Sequence, residues 1–129
     1  MKRLNLLLNN NKAYPKLMNY IIQQLNAEYI CQIGYVDPVD VLLDNISELE
    51  NNMQYDPNEL KRIINDSHFS PTFLDVIFLR NFNNTTIPII HISLFDRLYI
   101  TITLYNESND EINIDFSDLN LFGTISICN

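Results

Sequence analysis

Apolar and polar residues alternate twice over within Thr86–Tyr105. Ile90, Ile92 and Leu94 alternate with His91 and Ser93. After Phe95-Asp96-Arg97, the residues Leu98, Ile100, Ile102 and Leu104 alternate with Tyr99, Thr101, Thr103 and Tyr105. Period-2 patterning in β-branched and aromatic residues predicts an antiparallel hairpin with one dry face. Two more strands are expected after the turn formers Asn106–Asp110. Ile112, Ile114 and Phe116 alternate with Asn113 and Asp115. Beyond Ser117-Asp118, Leu119, Leu121, Ile125 and Ile127 share one parity. Gly123 lies in phase among them, where a bulge or a close backbone approach is expected.

Upstream the period changes. From Pro15, a residue favoured in a first helical turn, Leu17, Met18, Ile21, Ile22, Leu25 and Tyr29 recur at three- and four-residue spacing. They predict a first helix ending anywhere from 27 to 33, since Tyr29–Ile33 is β-prone and Gly34 closes it. Asp37-Pro38-Val39-Asp40 reads as a cap with proline at the first helical position. It opens a second helix to about Asn51, with Val39, Leu42, Leu43, Ile46 and Leu49 on its apolar face. Asp56-Pro57-Asn58-Glu59 repeats the signal for a third, ending near Asn65. Ser70-Pro71 opens a fourth segment, apolar nearly all round from Phe73 to Phe82, which a buried helix fits and a strand over Asp75–Leu79 also allows. Residues 2–8 are a strand or an extended lead-in. The expected fold is α+β: about four N-terminal helices packed on a C-terminal four-stranded antiparallel meander.

Length changes this picture little. The chain has 129 residues, enough for one domain with a sizeable core. No apolar run approaches the ~20 residues of a membrane helix, and Leu4–Leu8 is too short for a signal-peptide core. The compartment expected is the cytoplasm, and Cys31 and Cys128 are expected to be reduced.

Charge changes it more. The net charge is −8, with a pI near 4.4. Direct nucleic-acid binding is disfavoured, because phosphate contacts need clustered Lys and Arg. No base stands between Lys16 and Lys61, while eight acids do: Glu28, Asp37, Asp40, Asp44, Glu48, Glu50, Asp56 and Glu59. On a helix, Asp40, Asp44 and Glu48 share one side, opposite the apolar stripe. Like charges four apart cost a helix a few tenths of a kcal/mol each. Such a run is either a solvated face or a docking surface for a basic protein, with Tyr35 and Tyr55 as aromatic anchors. The candidate partner-binding residues are Asp37, Asp40, Asp44, Glu48, Tyr55, Asp56 and Glu59. A second cluster, Asp110, Glu111, Asp115 and Asp118, fits solubility and protection of a sheet edge.

Signals for catalysis are sparse. Neither His68 nor His91 has Cys, Asp or Glu nearby at ligand spacing, so no metal is expected. Gly34 and Gly123 are the only glycines, and neither stands in a phosphate-cradling loop. No cofactor and no catalytic residue are assigned; an enzyme reading would fall on His91, Ser93 and Tyr99 on the exposed sheet face.

A small acidic α+β chain of this character resembles the immunity proteins of bacterial toxin systems, including contact-dependent inhibition. The resemblance is one of overall character and rests on no motif; the four-helix colicin-type pattern is not matched, because the last third is β. It implies a cytoplasmic inhibitor that binds a basic toxin domain, often a nuclease, and blocks its nucleic-acid surface. A phage-type acidic inhibitor of nucleic-acid-handling machinery and a structural adaptor are the other classes left open.

Overall fold

The computed structural model describes residues 2–25, 29–34, 53–66, 69, 73–105 and 117–128. Among these residues seven strands and two α-helices follow in chain order: β1 (Lys2–Leu8), α1 (Ala13–Gln23), β2 (Tyr29–Gly34), β3 (Gln54–Tyr55), α2 (Pro57–Ile64), β4 (Leu74–Phe82), β5 (Thr85–Phe95), β6 (Tyr99–Leu104) and β7 (Gly123–Cys128). A 3₁₀ turn, Asp118–Leu121, leads into β7. The strands form one sheet in the order β3-β2-β4-β5-β6-β1-β7, antiparallel at every step.

The expected layout of about four helices on a four-stranded meander is overturned. Helices one and three exist as α1 and α2, but α1 stops at Gln23. The β-prone Tyr29–Ile33 that followed it is strand β2, because Tyr29, Cys31 and Ile33 are buried in alternation. The fourth helix is strand β4. Leu74, Val76 and Phe78 fill the core from one face, while Ile77 and Leu79 lie on the other, where Leu79 is also buried. A strand between two neighbours whose outer face also carries apolar residues such as Ile77 and Leu79 reads as a nearly unbroken apolar run, which periodicity cannot tell from a buried helix. Residues 2–8 are a full strand inside the sheet. Of the expected meander, β5, β6 and β7 are present, and Leu119 and Leu121 belong to the 3₁₀ turn instead of a strand. The expected second helix (39–51) and the strand at 112–116 fall outside the described residues.

The hairpin turns explain how a chain with two glycines makes them. The β4–β5 loop is Asn83-Asn84, with φ of 51° and 63°, and Asp96 and Arg97 in the β5–β6 loop have φ of 50° and 69°. The two-residue Asn83-Asn84 loop has the positive φ at both positions that a type I′ turn needs, asparagine tolerating it best after glycine; the β5–β6 loop, Asp96-Arg97-Leu98, is three residues long.

Both helices join a single apolar core with one sheet face. Helix α1 contributes Tyr14, Leu17, Met18, Ile21 and Ile22, and α2 contributes Leu60, Ile63 and Ile64. These meet Leu4, Leu6 and Leu8 of β1, Ile90, Ile92 and Leu94 of β5, and Ile100, Ile102 and Leu104 of β6. Polar and aromatic contacts fix the helices in place. The Asn19 and Asn65 amides exchange hydrogen bonds of 3.0 and 2.9 Å between α1 and α2. Tyr20 stacks on Phe122 and Tyr14 on Phe69. The Asp56 carboxylate caps α2 by accepting from the Asn58 N–H at 2.8 Å, with Pro57 in the first turn.

Strand β1 lies between β6 and β7 without a register break: Leu6 faces Ile100 on one side and Ile125 on the other. The close backbone approach expected at Gly123 is present. A Cβ there would stand 2.1 Å from the Leu7 carbonyl oxygen. Gly123→Ala is expected to lower unfolding free energy by about 3 kcal/mol, the upper range of overpacking costs. Equilibrium denaturation checks this, with a loss under 1 kcal/mol (about the mean for any substitution) counting against the steric reading.

Candidate functional site

The sheet face turned away from the helices collects the polar members of each strand into rows set by the register. One row runs Asp75, Ser93, Thr101, Asn5, Ser126 across β4, β5, β6, β1 and β7. The next runs Ile77, His91, Thr103, Arg3. On the other side of the first, Phe95, Tyr99 and Leu7 are cross-strand neighbours, all three exposed. Successive cross-strand partners stand about 5 Å apart, so the face offers a polar band bordered by an apolar and aromatic strip.

The band holds a group that sequence reading split in two. His91 and Ser93 lie on β5, as expected. The strand β4 adds Asp75, which the helical reading of Phe73–Phe82 had hidden. The Ser93 hydroxyl donates to the Asp75 carboxylate, and His91 Nε2 lies 3.7 Å from the same carboxylate oxygen, Oδ1. The imidazole and then the hydroxyl hold the Asp75 carboxyl below its ordinary value of 3.8, against partial burial that pulls it up. Further along, Thr101 donates to Asn5 Oδ1 at 3.1 Å. Thr103 and Ser93 are both buried between their neighbours.

Serine, histidine and aspartate together invite comparison with a nucleophilic relay, and the order is wrong for one. A relay places the imidazole between hydroxyl and carboxylate, so that His takes the hydroxyl proton and Asp orients His. Here the carboxylate is central and accepts from the hydroxyl itself. A carboxyl held below its usual range is a weak base, poorly suited to deprotonate an alcohol. What the arrangement does is tie β4 to β5 and fix the polar band. The third residue of the enzyme reading, Tyr99, lies one row away beside Leu7 and Phe95.

The candidate partner-binding residues divide. Asp37, Asp40, Asp44 and Glu48, with Tyr35, fall outside the described residues. Tyr55, Asp56 and Glu59 come together where β3 passes into α2. Asp56 and Glu59 are exposed there. Tyr55 is not available as a surface anchor: it pairs with Cys31 and is buried in the core. Its alternating position on a short strand decides that, and no strand was expected at Gln54-Tyr55.

Cys31 is equally enclosed. Its thiol donates to the Tyr55 carbonyl at 3.2 Å. Burial, and then the negative charges of Asp56 and Glu59, push its pKa up to about 12, so it stays a thiol and a poor nucleophile. Among the described residues, no group of three or more His, Cys, Asp or Glu side chains is spaced to hold a metal ion. No helix among them is long and apolar enough to cross a membrane.

No protein-family model, no curated protein and no solved structure matches the chain.

The low Asp75 pKa has a consequence for acid stability. The unfolded carboxyl takes up its proton first as the pH falls, so the stabilisation is complete above the unfolded value and is lost as pH falls through the folded one. Asp75→Asn is expected to flatten the acid limb of stability below about pH 4. Urea unfolding at a series of pH values compares the two proteins; parallel acid limbs would remove Asp75 as a contributor.

Proposed function

We propose that this chain is an immunity protein, a stoichiometric inhibitor that binds a basic toxin domain of the nuclease type and covers its nucleic-acid-binding surface. The observation that carries the reading is the partition of charge. Between Lys16 and Lys61 there is no base and there are eight acids: Glu28, Asp37, Asp40, Asp44, Glu48, Glu50, Asp56 and Glu59. After Arg97 no base follows, while Glu107, Asp110, Glu111, Asp115 and Asp118 do. Negative charge is therefore concentrated in single-sign stretches instead of being interspersed with Lys and Arg over the whole chain. Concentrated charge of one sign steers a partner of the other and raises its association rate. Asp56 and Glu59 follow the other acids of the first stretch in the sequence and are exposed where β3 passes into α2. Asp37, Asp40, Asp44 and Glu48 complete the proposed docking set.

Two further features support binding over catalysis. The serine, histidine and aspartate that meet on the sheet are arranged to hold strands together. The Cys31 thiol is kept protonated by its burial and then by the charges of Asp56 and Glu59. Cytoplasmic location belongs to this proposal, since the toxin domain would act there.

Affinity capture at low salt, followed by a high-salt wash, is expected to release one basic protein in equal stoichiometry, whose activity the chain suppresses. Replacing Asp40, Asp44 and Glu48 by Lys is expected to slow association with it by about ten- to a hundredfold at low ionic strength, with dissociation little changed. A captured partner that is acidic, or an association rate insensitive to both reversal and salt, sinks the assignment. Capture of a component of nucleic-acid-handling machinery would instead identify the phage-type class of inhibitor.

A further inference from the structure

We infer that the sheet face turned away from the helices is a self-association surface, on which a second copy of this chain lays the same face about a two-fold axis running along the strands between β5 and β6. The inference does not rest on the immunity reading.

Exposure and composition single this face out. Leu7 is 52 % exposed, Phe95 38 % and Tyr99 41 %, and the register makes them neighbours on β1, β5 and β6. Large apolar side chains side by side in solvent mark a contact surface, as singly scattered ones do not. Aromatic enrichment and depletion of charge distinguish the centre of an interface. Both hold across the polar band and this strip. Among the described residues of those rows, Asp75 and Arg3 are the two that carry a full charge.

Charge argues for the occupant. Two copies of a chain at −8 repel each other, and they meet most easily where the local charge vanishes, as it does over these rows. The two charges also stand on opposite sides of the face, Asp75 on β4 and Arg3 on β1, in adjacent rows. A two-fold axis along the strands between β5 and β6 exchanges β4 with β1 and β5 with β6, and keeps each row level with itself. Asp75 of each copy then lies over Asn5 of the other, about 7 Å along the strand from Arg3. Phe95 of each copy is seated on Tyr99 of the other. Packed sheets stand about 10 Å apart, a gap that such side chains fill. Aromatic meets aromatic and acid approaches base, each twice by symmetry. Five strands about 4.8 Å apart and three rows about 7 Å apart give roughly 500 Å² of face per copy. The resulting total of about 1,000 Å² is the lower limit for a specific interface, so the dimer is weak and reversible.

Sedimentation equilibrium at physiological salt over a range of concentrations tests this. The wild type is expected to dimerise reversibly. Phe95→Glu and Tyr99→Lys, both at exposed positions, are each expected to raise the dimer Kd by about tenfold or more, with the far-ultraviolet spectrum and urea midpoint unchanged. Mixing the two variants is expected to restore association between them. One junction of the mixed dimer pairs the introduced glutamate with the introduced lysine, and the other keeps Tyr99 on Phe95. A wild type still monomeric at about 1 mM, where association is worth about 4 kcal/mol or less, overturns the inference. So does a dimer that neither variant weakens, or a mixture that recovers nothing, since either places the contact or its axis elsewhere.

Discussion

The double pairing of β1 is the constraint on which the rest of the structure depends. Leu4, Leu6 and Leu8 point into the core because the register with β6 and β7 leaves them no other face. A slip by one residue would turn all three outward and bring Asn5 and the exposed Leu7 inward. Gly123 locks that register, since only a residue without a side chain lets the backbones meet at Leu7. With β1 in place, β7 has an inner partner, Ile125 reaches the core and Phe122 is carried to Tyr20 on α1.

The polar band on the other face depends on the same registers. Asp75, Ser93, Thr101 and Asn5 come from four strands, and Asn5 and Thr101 are 96 positions apart in the chain. Neither hydrogen bond in the band is local. The band therefore reports on strand alignment: satisfied hydroxyls and carboxylate in one row are what the native pairing produces and a shifted one does not.

Local patterning revealed those elements whose faces differ. The hairpin of β5 and β6 was legible from alternation, and α1 and α2 from apolar spacing and the Asp56-Pro57 cap. Where apolar residues stand on both faces the signal failed, as over Val76–Leu79 of β4, because an unbroken run carries no period. Residues 2–8 were ambiguous for another reason: partners nearly a hundred positions away decide whether a short apolar stretch is a strand. The site suffered in the same way. His91 and Ser93 stood out on β5, but Asp75 was hidden by the misread β4. Tyr55 looked exposed until β3 placed it against Cys31. Charge needed no fold to be seen, so the acidic stretch was the plainest feature of the sequence.

The order in which the sheet is assembled has a consequence for how the chain is made. Synthesis delivers β1 well before both of its neighbours, so Leu4, Leu6 and Leu8 have no sheet to join until β6 and β7 have been made. The β4–β5 hairpin, closed by a two-residue turn, pays little entropy to form early; β1 must close loops of roughly ninety residues or more before it gains anything. The pairing of β1 is then among the later contacts to form.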